Sequence, residues 1–73
     1  MKLPVINGKR LINVVGKLGF VEIRQKGSHK TFKHQDGRVI TIAIHSKPIP
    51  LGLLNKIVKQ DLRLNRTDFI KLL

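Results

Sequence analysis

Seventy-three residues make a single short domain, one that buries only about 60% of the surface its unfolded chain exposes, and a multidomain enzyme is excluded. Fifteen Lys and Arg against four Asp and Glu give a formal charge of +11, which points to a polyanionic partner. The chain has no cysteine, so disulfides, thiolate metal sites and cysteine nucleophiles are excluded; no apolar run approaches the ~18 residues of a membrane span, no signal-peptide core opens the chain, and a cytoplasmic protein is expected.

Asn7 caps a predicted helix over residues 8–18, in which Leu11, Ile12, Val15 and Leu18 recur at helical spacing and after which Gly19 supplies a left-handed stop. Val21 and Ile23 alternate with Glu22, Arg24 and Lys26, the pattern of a strand with one buried and one charged face, and Gly27-Ser28 ends it. Residues 29–34 and 38–44 form a hairpin around Gln35-Asp36-Gly37. A two-residue turn there would set Phe32 opposite Thr41 and split the apolar residues between the faces. A three-residue loop with Gly37 left-handed instead pairs Phe32 with Ile40 and gathers Phe32, Ile40, Ile42 and Ile44 on one side, which is the predicted register.

Residues 46–50 read as a proline-bearing linker, and Leu51, Leu54, Ile57 and Val58 mark a second amphipathic helix ending near Asp61. Asn65-Arg66-Thr67-Asp68 is a capping-box variant that opens a short helix bearing Phe69, Ile70 and Leu73. The order α-β-β-β-α with a small helix appended predicts one α+β domain over residues 1–73: a three-stranded antiparallel sheet with both main helices on one face and the other face open.

That open face is predicted to receive Glu22, Arg24, Lys26, His29, Thr31, Lys33, Val39, Thr41, Ala43 and His45. Between residues 24 and 47, the six cations Arg24, Lys26, Lys30, Lys33, Arg38 and Lys47 meet a single carboxylate, Asp36, and all three histidines lie there too. A phosphate backbone is the natural ligand. The face carries no aromatic ring for stacking bases, which argues against a single-strand platform of the RRM or OB type. A metal site is not expected either, because His29 and His34 are an odd number of residues apart on one strand and point to opposite faces. His34 and His45 read as half-exposed polar residues. His29 differs, since it follows Gly27-Ser28, where a glycine backbone permits close approach of a phosphate. An imidazole that can accept a proton, set beside Arg24, Lys26 and Lys30, suits a general base.

The residues Gly19-Phe20, Arg24-Gln25-Lys26-Gly27-Ser28-His29, Phe32, Gly37, His45, Ile49, Gly52-Leu53-Leu54 and Ile57-Val58-Lys59-Gln60 together resemble the HicA (YcfA-like) toxins of bacterial toxin-antitoxin pairs. The resemblance runs from about residue 7 to residue 69. It implies a double-stranded-RNA-binding-domain-like fold, endoribonuclease cleavage of mRNA that arrests translation, silencing by a HicB-type antitoxin, and a catalytic role for His29. The chain departs from the family pattern at Lys30, where a second histidine is common, and after the second helix, where Asp61-Leu62-Arg63-Leu64 replaces the usual Ala-Gly.

The expectation is thus a metal-independent endoribonuclease needing no cofactor, in which His29 moves the proton while Arg24, Lys26, Ser28, Lys30, Lys33 and His45 contact RNA. His45 is the candidate for the opposite acid or base. The alternative is a non-catalytic double-stranded-RNA-binding module. Such modules grip phosphates with lysines at the start of the second helix, whereas here Pro50-Leu51-Gly52-Leu53-Leu54 occupies that start and the first cation is Lys56.

Overall fold

A computed structural model describes residues 2–73. Asn7 caps α1 (Gly8–Lys17) by accepting the Arg10 N–H at 3.0 Å, and Gly19 leaves the helix with φ +95°. Then follow β1 (Val21–Lys26), β2 (His29–Lys33), β3 (Val39–Ala43), α2 (Leu51–Lys56) and α3 (Arg66–Lys71). The strands form one antiparallel sheet in the order β1-β2-β3, and among the described residues no helix is long and apolar enough to cross a membrane.

The β2–β3 register is the predicted one, with Phe32 opposite Ile40. His34 N–H bonds Arg38 C=O and Gly37 N–H bonds His34 C=O, both at 2.9 Å, while Gly37 takes φ +98°, so the hairpin closes through a three-residue loop with a left-handed glycine. Phe32, Ile40 and Ile42 join Leu11, Val14 and Val15 of α1, Leu54 of α2 and Phe69 of α3 in one core, with Ile44 half-buried at the strand end. Gly8 makes the α1–β3 approach possible, since a Cβ there would run into the Ala43 carbonyl oxygen.

Beyond Lys56 the second helix widens into a π-helical stretch over Ile57–Asp61, in which Leu62 N–H reaches back five residues to Ile57 C=O at 2.9 Å. Arg63 ends it with φ 55° in the left-handed region. Asn65 caps α3 as expected, its Oδ1 accepting Asp68 N–H at 2.7 Å.

Three features depart from the expectations. β1 is exposed along its whole length, Val21 and Ile23 included, because it is the outer strand and the core gathers over β2 and β3. Glu22 does not share the open face with Arg24 and Lys26. It lies opposite Phe32 while Arg24 lies opposite Thr31, so a bulge at Ile23 breaks the alternation and turns Glu22 to the helix side. The N-terminal segment also contributes to the core through Leu3 and Ile6, and it ties down the linker through an Asn7–Pro48 bridge and an Ile49 N–H to Ile6 C=O bond of 2.8 Å.

Candidate nucleic-acid interface

Gly27 and Ser28 are the two loop residues of a tight hairpin, since Lys26 pairs directly with His29. Gly27 has φ +58° and Ser28 has no positive φ, the type II′ pattern whose first position favours glycine. Gln25 braces the turn by donating from Nε2 to Gly27 C=O at 3.1 Å. The turn thereby sets Lys26 and His29 side by side at the end of the sheet.

Around it lies a depression of about 460 Å³ on the open face. Arg24, Lys26, Gly27, Ser28 and His29 form its walls, and Thr31 and Thr41 form its floor. His29 is exposed, as a group that meets a large ligand must be. Thr31 is only 8% exposed, and its hydroxyl lies 3.0 Å from that of Thr41 across the β2–β3 pair. One hydroxyl donates to the other, which leaves the second proton free for a ligand oxygen. Neither threonine is among the expected site residues, although alternation puts both on this face and the register that pairs Phe32 with Ile40 also pairs Thr31 with Thr41.

The remaining expected site residues divide. Lys33 is on the open face, opposite Val21 and Val39, four residues along β2 from His29. His45 lies just beyond Ala43, the partner of His29, and lines a second recess together with His29. Lys30 is not brought to this face. It pairs with Gln25 and Ile42 on the helix side, where its ammonium sits 3.1 Å from Glu22.

His34 belongs to the scaffold. Its Nε2 lies 3.0 Å from Leu18 C=O, to which it must donate, and its ring meets Phe20 edge-on at 5.2 Å. Arg38 is likewise engaged, with Nε 2.7 Å from Asp36, Nη1 2.6 Å from Leu62 C=O, and the guanidinium 5.1 Å above the Phe20 ring. Asp36 accepts the Arg38 backbone N–H at 3.0 Å as well; that bond first, and the guanidinium after it, hold its carboxyl below the ordinary value of 3.8. Among the described residues, no three His, Cys, Asp or Glu side chains are grouped to hold a metal.

A search of curated proteins finds no match. The family model described as the HicA toxin of bacterial toxin-antitoxin matches residues 8–61, from the first residue of α1 to the end of the π-helical stretch. That span includes the whole sheet and the depression around His29, and it exceeds half of the chain. The chain belongs to the HicA toxin family, which implies an antitoxin partner.

Proposed function

We propose that this toxin is a metal-independent endoribonuclease that cleaves mRNA in the cytoplasm, with His29 as its proton-transferring group. The observation that carries the reading is the shared depression: an exposed imidazole, two cations and a glycine turn converge on one concavity of the open face. A ribose 2′-oxygen attacks the adjacent phosphorus, His29 takes the 2′-hydroxyl proton, and the bond to the 5′-oxygen breaks as that oxygen is protonated. The products are a 2′,3′-cyclic phosphate and a 5′-hydroxyl. One placed imidazole supplies about 10²–10⁴-fold. Arg24 and Lys26 stabilise the charge that builds on the phosphorane, and the Gly27-Ser28 turn offers backbone and hydroxyl donors. Lys33 holds a neighbouring phosphate, and His45 is the candidate for the protonating acid.

A HicB-type antitoxin silences such an enzyme by covering the depression. The test is cleavage of a short RNA by the purified chain in excess EDTA, beside His29→Ala and beside a substrate with 2′-deoxyribose at the scissile position. Cleavage by the wild type alone, and only of the ribose substrate, supports the reading. A folded His29→Ala variant that still cuts, or activity that disappears on chelation and returns with divalent ion, overturns it.

A further inference from the structure

A second recess of about 260 Å³ opens beside the depression and shares His29 and Thr41 with it. It runs past His45 toward the linker and α2, where Ile49, Pro50 and Leu53 line it, with Leu11 and Ile57 behind. At that volume it lies below the ~300–1,000 Å³ of pockets for drug-sized ligands, and suits one ring system. Its wall is mostly aliphatic, whereas the depression beside it is lined by cations, hydroxyls and the glycine turn. Leu53 is half exposed at its rim, 50% accessible.

The edge of β3 adds polar recognition. Even-numbered positions of this strand bond β2, as Ile44 N–H to Ser28 C=O at 2.6 Å and His34 N–H to Arg38 C=O at 2.9 Å show. Antiparallel alternation therefore turns the N–H and C=O of Thr41 outward, off the free edge and beside the recess. A donor and an acceptor next to an aliphatic slot match the hydrogen-bonding edge and the flat face of a nucleobase.

We propose that this recess is a nucleobase subsite, holding the base of a nucleotide next to the phosphate that lies in the His29 depression. The proposal rests on the ribonuclease reading above. It answers how a face without aromatic side chains can hold a base: the base leaves the face and enters the slot behind β3, between His45 and Leu53. Base identity is then read by the Thr41 main chain, and the slot sets which phosphate lies against His29.

The test is a double-substitution cycle by equilibrium binding, using the full chain and a seven-nucleotide 2′-fluoro RNA, which resists 2′-hydroxyl attack. Each base is removed in turn, and each oligomer is measured against the wild type and Leu53→Ser, a change at a half-exposed position. One base removal is expected to cost the wild type about tenfold in affinity, and to cost Leu53→Ser less than twofold, with the salt dependence unchanged between the two proteins. Equal costs in both proteins at every position overturn the subsite and leave the ribonuclease reading standing. Loss of antitoxin binding by Leu53→Ser with no change toward any RNA assigns the recess to the protein partner and also overturns it. Absence of salt-dependent RNA binding by the wild type removes the ribonuclease reading, and the subsite with it.

Discussion

The Lys30 ammonium lies 3.1 Å from the Glu22 carboxylate on the helix side of the sheet, although Lys30 follows His29 directly in the chain. Neighbours in a strand point to opposite faces, and the bulge at Ile23 is what brings Glu22 to the side where Lys30 waits. The cation nearest to His29 in sequence is thus turned away from the depression.

Lys30→Ala should accordingly leave the electrostatics of RNA binding nearly intact, while Lys33→Ala should not. Each cation that neutralises a phosphate adds about 0.7 to the slope of log affinity against log salt on a single strand. The Lys33→Ala slope should fall by about that amount, and the Lys30→Ala slope should match the wild type. Titrations at four salt concentrations decide the matter, and equal slopes for the two variants would return Lys30 to the RNA-contacting set.

Arg38 belongs to the fold, although its charge counts toward the basic hairpin. Its contacts to Leu62 C=O, Asp36 and the Phe20 ring connect the β2–β3 loop to the end of the π-helical stretch and to the residue that precedes β1. Replacing it by Ala leaves the Leu62 carbonyl without this charged donor, at a cost of about 1.5–3 kcal/mol; the exposed ion pair with Asp36 adds little. A domain of this size loses roughly 4–8 °C of Tm per kcal/mol, so calorimetry of Arg38→Ala should show a drop of about 6 °C or more. An unchanged Tm would mean that the bond to Leu62 contributes nothing net.

The Asp36 carboxyl gives the molecule an acid-sensitive contact. Held below its ordinary value by the Arg38 N–H and then by the guanidinium, it contributes stability that is complete above the unfolded-state value of about 3.9 and is lost as pH falls through the lower folded value. Urea midpoints at pH 7 and pH 3 should therefore differ more for the wild type than for Asp36→Asn. An equal fall in both proteins would show that the carboxyl is not linked to folding.

Features that depend on local chemistry were legible in the sequence. The caps Asn7 and Asn65, the left-handed Gly19 and Gly37 and the pairing of Phe32 with Ile40 follow from turn geometry and period-two alternation, and they fixed the element order and most of the open face. Features that depend on what packs against what were not. Nothing in Val21-Glu22-Ile23 marks a bulge, since any residue there can occupy it, and the exposure of β1 follows from where the helices sit. Burial of Leu3 and Ile6 accompanies the Asn7–Pro48 bridge, a contact between segments far apart in the chain. Around His29 the turn, the cations Arg24 and Lys26 and the pairing of Thr31 with Thr41 are legible in the local pattern, whereas the engagement of Arg38 depends on Leu62, a residue distant in the chain.

Arg63 stands at φ 55°, where a Cβ is penalised and glycine is not. Asp61-Leu62-Arg63-Leu64 follows the second helix with a non-glycine residue at the left-handed position, a strained end that glycine would relieve. Arg63→Gly should raise stability by about 0.5–1 kcal/mol, read as a rise of about 2–8 °C in Tm. A fall in Tm would show that the arginine side chain makes compensating contacts.

The last prediction separates binding charge from catalytic charge on the open face. Lys26 pairs directly with His29 and lines the same depression, whereas Lys33 lies four residues along β2 and outside it. At about 3.4 Å per residue, the proposed ribonuclease function puts Lys33 roughly two nucleotides from the reacting phosphate. A cation beside that phosphate meets charge that grows toward the phosphorane, so it stabilises the transition state more than bound substrate and lowers the barrier of the chemical step. A cation on a distant phosphate meets unchanging charge and contributes to affinity alone. Single-turnover rates at saturating RNA should therefore fall for Lys26→Ala by about 10–100-fold, and stay within about twofold of wild type for Lys33→Ala, whose deficit should disappear at saturation. If the saturated rates fall equally, or fall only for Lys33→Ala, the reacting phosphate does not lie against the Lys26-Gly27-Ser28-His29 turn.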